Sequence, residues 1–113
     1  MRTIKFRAKR IDNGEWVYGH YLQIGDKHFI SCNAFPCEVD ESTLGQFTGS
    51  SNAGEEFCEG DIIFDNRSEE NGEIYYDESA FYVRHSNVIE LLSEMKDDIF
   101  IIGNVTDNKE LLS

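Results

Sequence analysis

The stretch from Thr43 to Phe64, TLGQFTGSSNAGEEFCEGDIIF, constrains this chain more than any other part of it. Leu44 and Phe47 are apolar anchors, and Gly45, Gly49 and Gly54 give backbone angles that residues with a Cβ resist. Glu59-Gly60-Asp61 then turns the chain into Ile62-Ile63-Phe64, a β-branched and aromatic run of the kind that forms a buried strand. Loop, turn and strand thus join two β-rich parts. No nucleophile with its base, phosphate cradle or metal cluster is spelled out here, so the stretch defines a kind of object rather than a reaction.

The chain before it alternates. Ile4, Phe6 and Ala8 fall on one side and Lys5, Arg7 and Lys9 on the other, which is a half-buried strand from Thr3 to Arg10. Asp12-Asn13-Gly14 supplies the turn, and Glu15 to Ile24 alternates again to complete a hairpin. Gly25-Asp26 leads into a third strand, Lys27 to Cys32. Asn33 to Pro36 is expected to break this meander, since Pro36 cannot donate a backbone hydrogen bond, leaving a short extended piece around Glu38-Val39.

Within the central stretch Thr43 to Phe47 reads as a strand, and Ser50 to Gly54 as a mobile polar loop. Asp65 to Gly72 has no apolar residue and is expected to be an exposed hairpin loop closed by Asn71-Gly72, where substitution of Glu69 or Glu70 changes nothing. Glu73 to Asp77 and Ala80 to His85 are two further strands. From Asn87 the period changes: Val88, Leu91, Leu92 and Met95 fall at i, i+3, i+4 and i+7, with Asn87 and Glu90 placed as a capping box, so a short helix is expected. Ile99 to Val105 is a strand interrupted by Gly103, and Lys109 to Leu112 a last helical turn that packs Leu111 and Leu112 on the core. The fold class is therefore mainly β, a β-rich α+β chain: an N-terminal β-meander plus a small SH3-like barrel-type lobe, with one short helix near the C-terminus. A single domain over residues 1–113 is expected, with lobes at about 1–42 and 43–113.

Charge narrows the partners. The net charge is −12, yet Arg2, Lys5, Arg7, Lys9 and Arg10 crowd the first ten residues and the remainder is acidic. Such a balance disfavours a broad phosphate-binding surface, although basic residues near Trp16 and Tyr18 keep a nucleic-acid module as the alternative. A hydrophobic content of 40% argues for a folded chain, and no apolar run is long enough to cross a bilayer, so a cytoplasmic location and no membrane partner are expected.

Three segments together resemble the YopX family of small proteins encoded mostly by phages and prophages. They are Ile4-Lys5-Phe6-Arg7-Ala8 with Trp16-Val17-Tyr18-Gly19; Gly45-Gln46-Phe47-Thr48-Gly49 with Glu59-Gly60-Asp61; and Ile101-Ile102-Gly103-Asn104-Val105 with Asn108 to Leu112. Lys9-Arg10 and Thr106-Asp107 depart from the family's usual Trp-Asp and aromatic-Glu pairs. The resemblance implies a fold and a phage setting inside a bacterial cell, but no catalytic residue and no cofactor.

The motif residues Gly45, Gln46, Phe47, Thr48, Gly49, Glu59, Gly60, Asp61, Gly103 and Asn104 are read as structural, with Gly60 at a special backbone angle and Asp61 accepting from nearby amides. The carboxylates Glu55, Glu56, Glu59, Asp61 and Asp65 are read as a solvated face rather than an acid-base or cation site. Cys32, Cys37 and Cys58 suit no disulfide framework; Cys32 and Cys37 with His20, His28 or His85 have only one short spacing in favour of metal, and no metal is assigned. No GxSxG element accompanies the histidines, so no enzyme is expected. Tyr75, Tyr76, Phe81 and Tyr82 alternate on adjacent strands, half inward and half outward, and the outward half is a candidate interaction surface for a second copy or for a host or phage protein.

Overall fold

The structure is a computed structural model and describes residues 5–32, 35–85 and 88–112, with the side chain of Cys32 left aside. Among these residues the chain is mainly β: β1 (Phe6–Lys9), β2 (Trp16–Ile24), β3 (Lys27–Cys32), β4 (Phe35–Val39), β5 (Gly45–Asn52), β6 (Glu55–Cys58), β7 (Asp61–Asp65), β8 (Glu70–Asp77), β9 (Ala80–His85), β10 (Val88–Leu91), a short helix α1 (Leu92–Met95) and β11 (Ile99–Asn104). Two compact units divide it, Met1–Phe47 and Thr48–Ser113.

In the first unit the strand order is β4-β3-β2-β1-β5, all the registered pairs antiparallel. Alternation fixes which face is buried: Ala8, Ile30 and Val39 form the core, with Phe6, Val17 and Leu44 packed against it. Arg7 and Lys9 lie on the opposite face of β1. The sequence suggested that Pro36 breaks the ladder, but it does not; it pairs with Ser31 within β4. The reason is position, because β4 is the edge of the sheet, where a missing N–H costs no ladder bond. A 3-10 turn at Glu41–Thr43 follows, with the Asp40 carboxylate accepting from the Ser42 amide at 3.0 Å.

β5 continues across the division into the second unit and meets β6 there. The expected mobile loop at Ser50–Gly54 is instead a hairpin: Ala53 and Gly54 have φ of 54° and 83°, the two positive values that a tight two-residue turn needs. Polar side chains hold it where propensity would not, with Asn52 Nδ2 donating to the Ile99 carbonyl at 2.9 Å.

The rest of the second unit is a five-stranded antiparallel sheet in the order β10-β9-β8-β7-β11. Phe57, Ile63, Ile74, Val83, Leu92, Met95 and Ile99 form its core. Three further expectations are corrected here. Asp65 is the buried end of β7, not part of an exposed loop, and Glu70-Asn71-Gly72 open β8, so only residues 66–69 turn. Val88 to Leu91 form β10 rather than a helix, because their β-branched residues pair along β9; the helix spans only Leu92–Met95. Its N-cap is Leu91, without a capping side chain, and Asn87 lies outside the described residues. The terminal turn forms at Lys109–Leu112 as expected, but Leu111 alone is half-buried while Leu112 is exposed.

Candidate functional site

The turn into β7 is held by backbone geometry. Gly60 has φ of +92°, donates its N–H to the Ile74 carbonyl and accepts from Val105 N, both at 2.8 Å. A side chain would strain that angle. Asp61 is buried, and its Oδ2 accepts the Cys58 amide at 2.8 Å. The other motif residues hold strands and turns together. Gly45 and Gln46 pair with Arg7 and Phe6, the Phe47 amide donates to Lys5, and Thr48 Oγ1 accepts from Ser50 N. The Gly49 amide reaches Glu56, and Glu59 is half-buried beside Gly60. Gly103 follows the register shift in β11, and Asn104 Oδ1 accepts from the amides of Thr106 and Asp107.

The four aromatics separate by face. Tyr75 and Tyr82 are opposite one another on β8 and β9, ring centroids 5.9 Å apart, with the Arg84 guanidinium 4.7 Å over Tyr75. Tyr76 and Phe81 pair on the other face, where Phe81 packs against the core and Tyr76 is exposed. Register then carries the Tyr75–Tyr82 face outward to β10, since Leu91 lies opposite Tyr82 and Ile89 opposite Arg84. Ile89 is 57% exposed and Val88 46%. β10 is an edge, and it offers neither lysine nor proline.

In the first unit the basic residues of β1 and Lys5 just before it meet aromatic rings. Lys5 Nζ lies 4.3 Å from the Phe47 ring centre, while Arg7 and Lys9 lie 4.9 and 5.4 Å from that of Trp16. Tyr18 packs beside Phe47. Cys37 and His28 are also in this unit, with the His28 ring engaged by Tyr21 Oη and by Glu41 at 3.0 Å; His85 belongs to the second unit, and His20 is exposed.

A polar cluster that the sequence did not announce closes one end of the second sheet's core face. Asp65 and Glu70 lie opposite one another on β7 and β8, and Gly72, without a Cβ, leaves room for His85 from β9. His85 Nε2 is 3.1 Å from Glu90 Oε2 on β10 and 3.5 Å from Asp65 Oδ2. Arg67 Nη2 bonds Asp65 at 3.0 Å and Glu90 at 2.9 Å. Burial works to raise the Asp65 carboxyl, but hydrogen bonds from the Arg67 side chain and amide, with the charges of Arg67 and His85, outweigh it and hold the group below its ordinary value. Contacts with Asp65 and Glu90 push the Arg67 guanidinium upward in turn. One signal was present in sequence: Asp61, Ile63 and Asp65 alternate, which puts Asp65 on the inward face of β7.

These observations define a β-rich, two-unit chain whose motif residues lie in strands and at the turns that join them. The family model described as YopX protein matches residues 5–113, and the chain belongs to that family. No curated protein matches it.

Proposed function

We propose that this chain is a protein-binding β domain without catalysis of its own, working through β10 and the Tyr75–Tyr82 face beside it, with a second copy of the chain as its first partner. The observation that carries this reading is the edge. Sheet proteins blunt exposed edges with lysine, proline or bulges, as Pro36 does on β4, whereas β10 reads Val-Ile-Glu-Leu with its first two residues open to solvent. Tyrosine and arginine adjoining such a strand are the residue types enriched at interface centres. Strand addition would supply main-chain hydrogen bonds, and Ile89 with Tyr82 the side-chain contacts. Family resemblance supports a phage or prophage setting in the bacterial cytoplasm. No helix among the described residues is long and apolar enough to cross a membrane. Hydrogen exchange at rising protein concentration tests the reading: the β10 amides should gain protection as the chain associates, and unchanged exchange there would remove its support.

A second reading rests on the cation-aromatic face of the first unit. Residues 1–47 carry six cations and six carboxylates, residues 48–113 four and sixteen, so the net charge belongs to the second unit. Single-stranded nucleic acid could track Lys5, Arg7 and Lys9 and stack on Trp16 or Tyr18. Against it, Arg7 and Lys9 already lie over Trp16, one of the two rings that bases would use. Binding at low salt that weakens on Arg7→Ala would favour this reading; no retardation at low salt would end it.

A further inference from the structure

We propose that Asp65, His85 and Glu90 form a site for a divalent transition-metal ion of the Zn²⁺ or Mn²⁺ class, with Arg67 as a displaceable stopper. The proposal does not rest on the self-association reading above. Three donors of suitable type, one imidazole nitrogen and two carboxylate oxygens, come from β7, β9 and β10 of one sheet, reach one another past Gly72 of the intervening β8, and lie within 4.8 Å of one another. Metal–ligand bonds of about 2.0–2.2 Å place donors on one ion roughly 3–4 Å apart, and the separations of 3.1 and 3.5 Å from His85 Nε2 meet this without rebuilding the backbone.

Two observations separate the cluster from a solvated acidic face. The first is His85 itself, whose side chain is 4% exposed and whose Nδ1 is buried without a hydrogen-bond partner. Its nearest acidic neighbour is Glu70 Oε2, at 3.5 Å. With Nε2 on a metal, the proton belongs on Nδ1 and points at that carboxylate, the outer contact that orients most ligating histidines. The second is charge. Asp65, Glu70, Glu90 and Asp98 surround one guanidinium and one imidazole, so negative charge is in excess whether or not the imidazole carries a second proton.

Arg67 occupies the ion's place but is not fixed in it. Its side chain is 42% exposed, against 1% for Asp65. When the guanidinium swings out, Asp65 Oδ1 keeps the Arg67 amide at 2.8 Å and stays oriented, leaving Oδ2 for the ion. The imidazole selects a first-row transition ion over Mg²⁺ or Ca²⁺, which prefer oxygen alone. Three protein ligands also leave a coordination position open.

The test uses the full chain, stripped with a chelator and titrated calorimetrically with Zn²⁺ and Mn²⁺, with Co²⁺ as an optical probe and Mg²⁺ as control. One ion per chain is expected, with visible Co²⁺ absorption. Glu90→Gln, which can keep a hydrogen bond to Arg67, should weaken binding by about ten-fold or more. Arg67→Ala, which removes the competitor, should tighten it by about ten-fold, and the ion should restore any melting temperature that this variant loses. Wild type and Arg67→Ala both failing to bind at millimolar ion would overturn the proposal. So would binding that Glu90→Gln leaves unchanged, which would place the ion elsewhere.

Discussion

Gly72 and His85 are fitted to one another across β8 and β9: a Cβ built on Gly72 would lie 3.1 Å from that of His85 and 3.0 Å from Val83 Cγ1. Gly72→Ala should therefore cost about 1–3 kcal/mol through overpacking and push the His85 ring away from Asp65. Denaturant unfolding measures the first effect and the imidazole NMR shifts the second. A stable variant with an unmoved ring would show that the cluster does not depend on this gap.

The Glu59-Gly60-Asp61 turn should behave as a fold determinant. Gly60→Ala forces a Cβ onto φ of +92° and should cost on the order of 1 kcal/mol or more. Asp61→Ala leaves the buried Cys58 amide without its acceptor, a loss of about 1–3 kcal/mol. Thermal unfolding of the two variants beside wild type decides it. If both melt with the wild type while association is lost, the motif is a contact site and not a structural one.

The hairpin between β8 and β9 carries an uncorrected strain. Glu78 and Ser79 have φ of 44° and 69°, and neither is the glycine or asparagine that such a turn favours. Ser79→Gly should stabilise the chain by about 1 kcal/mol and Glu78→Asn by less. Calorimetry should show a higher melting temperature; a lower one would mean that other contacts of these side chains outweigh the strain.

Asp40 gives a pH prediction of definite sign. The Ser42 hydroxyl and then its amide hydrogen-bond the carboxylate and lower its folded-state value. Its stabilising contribution is thus present above the unfolded-state pKa and lost as pH falls through the lower folded one. A carboxyl NMR titration should place its midpoint below the ordinary value of about 3.9, and Asp40→Asn should remove that part of the acid sensitivity. A midpoint at or above the ordinary value would contradict the capping geometry.

Alternation and turn chemistry made much of this fold legible in the sequence. β3 and β9 occupy the residues that pattern alone assigns, and Gly60 and Asp61 do what their residue types suggest. Apart from Pro36, tolerated because β4 is an edge, the main misreadings share one physical cause: tertiary pairing overrode local preference. Ser50 to Asn52 are poor strand formers, yet β6 and Asn52's bond to Ile99 keep them extended. Val88 to Leu91 carry helical spacing, but β9 was available as a partner. The polar cluster was hidden for a related reason. His85 and Glu90 reach Asp65 and Arg67 only once β7 to β10 are in register, and helical spacing from Val88 puts Glu90 in the position of a cap. Glu70, expected to be inert, faces His85 from β8.

Association through β10 is the central claim, and sedimentation velocity over a concentration series, with wild type and Ile89→Lys side by side, tests it most directly. Lysine at this exposed position should leave the melting temperature of the dilute monomer unchanged while blocking strand addition at the edge. The account predicts that wild type moves from monomer to dimer within the micromolar range and that Ile89→Lys stays monomeric throughout. Wild type that remains monomeric at the highest soluble concentration, or a dimer that Ile89→Lys leaves intact, would contradict it.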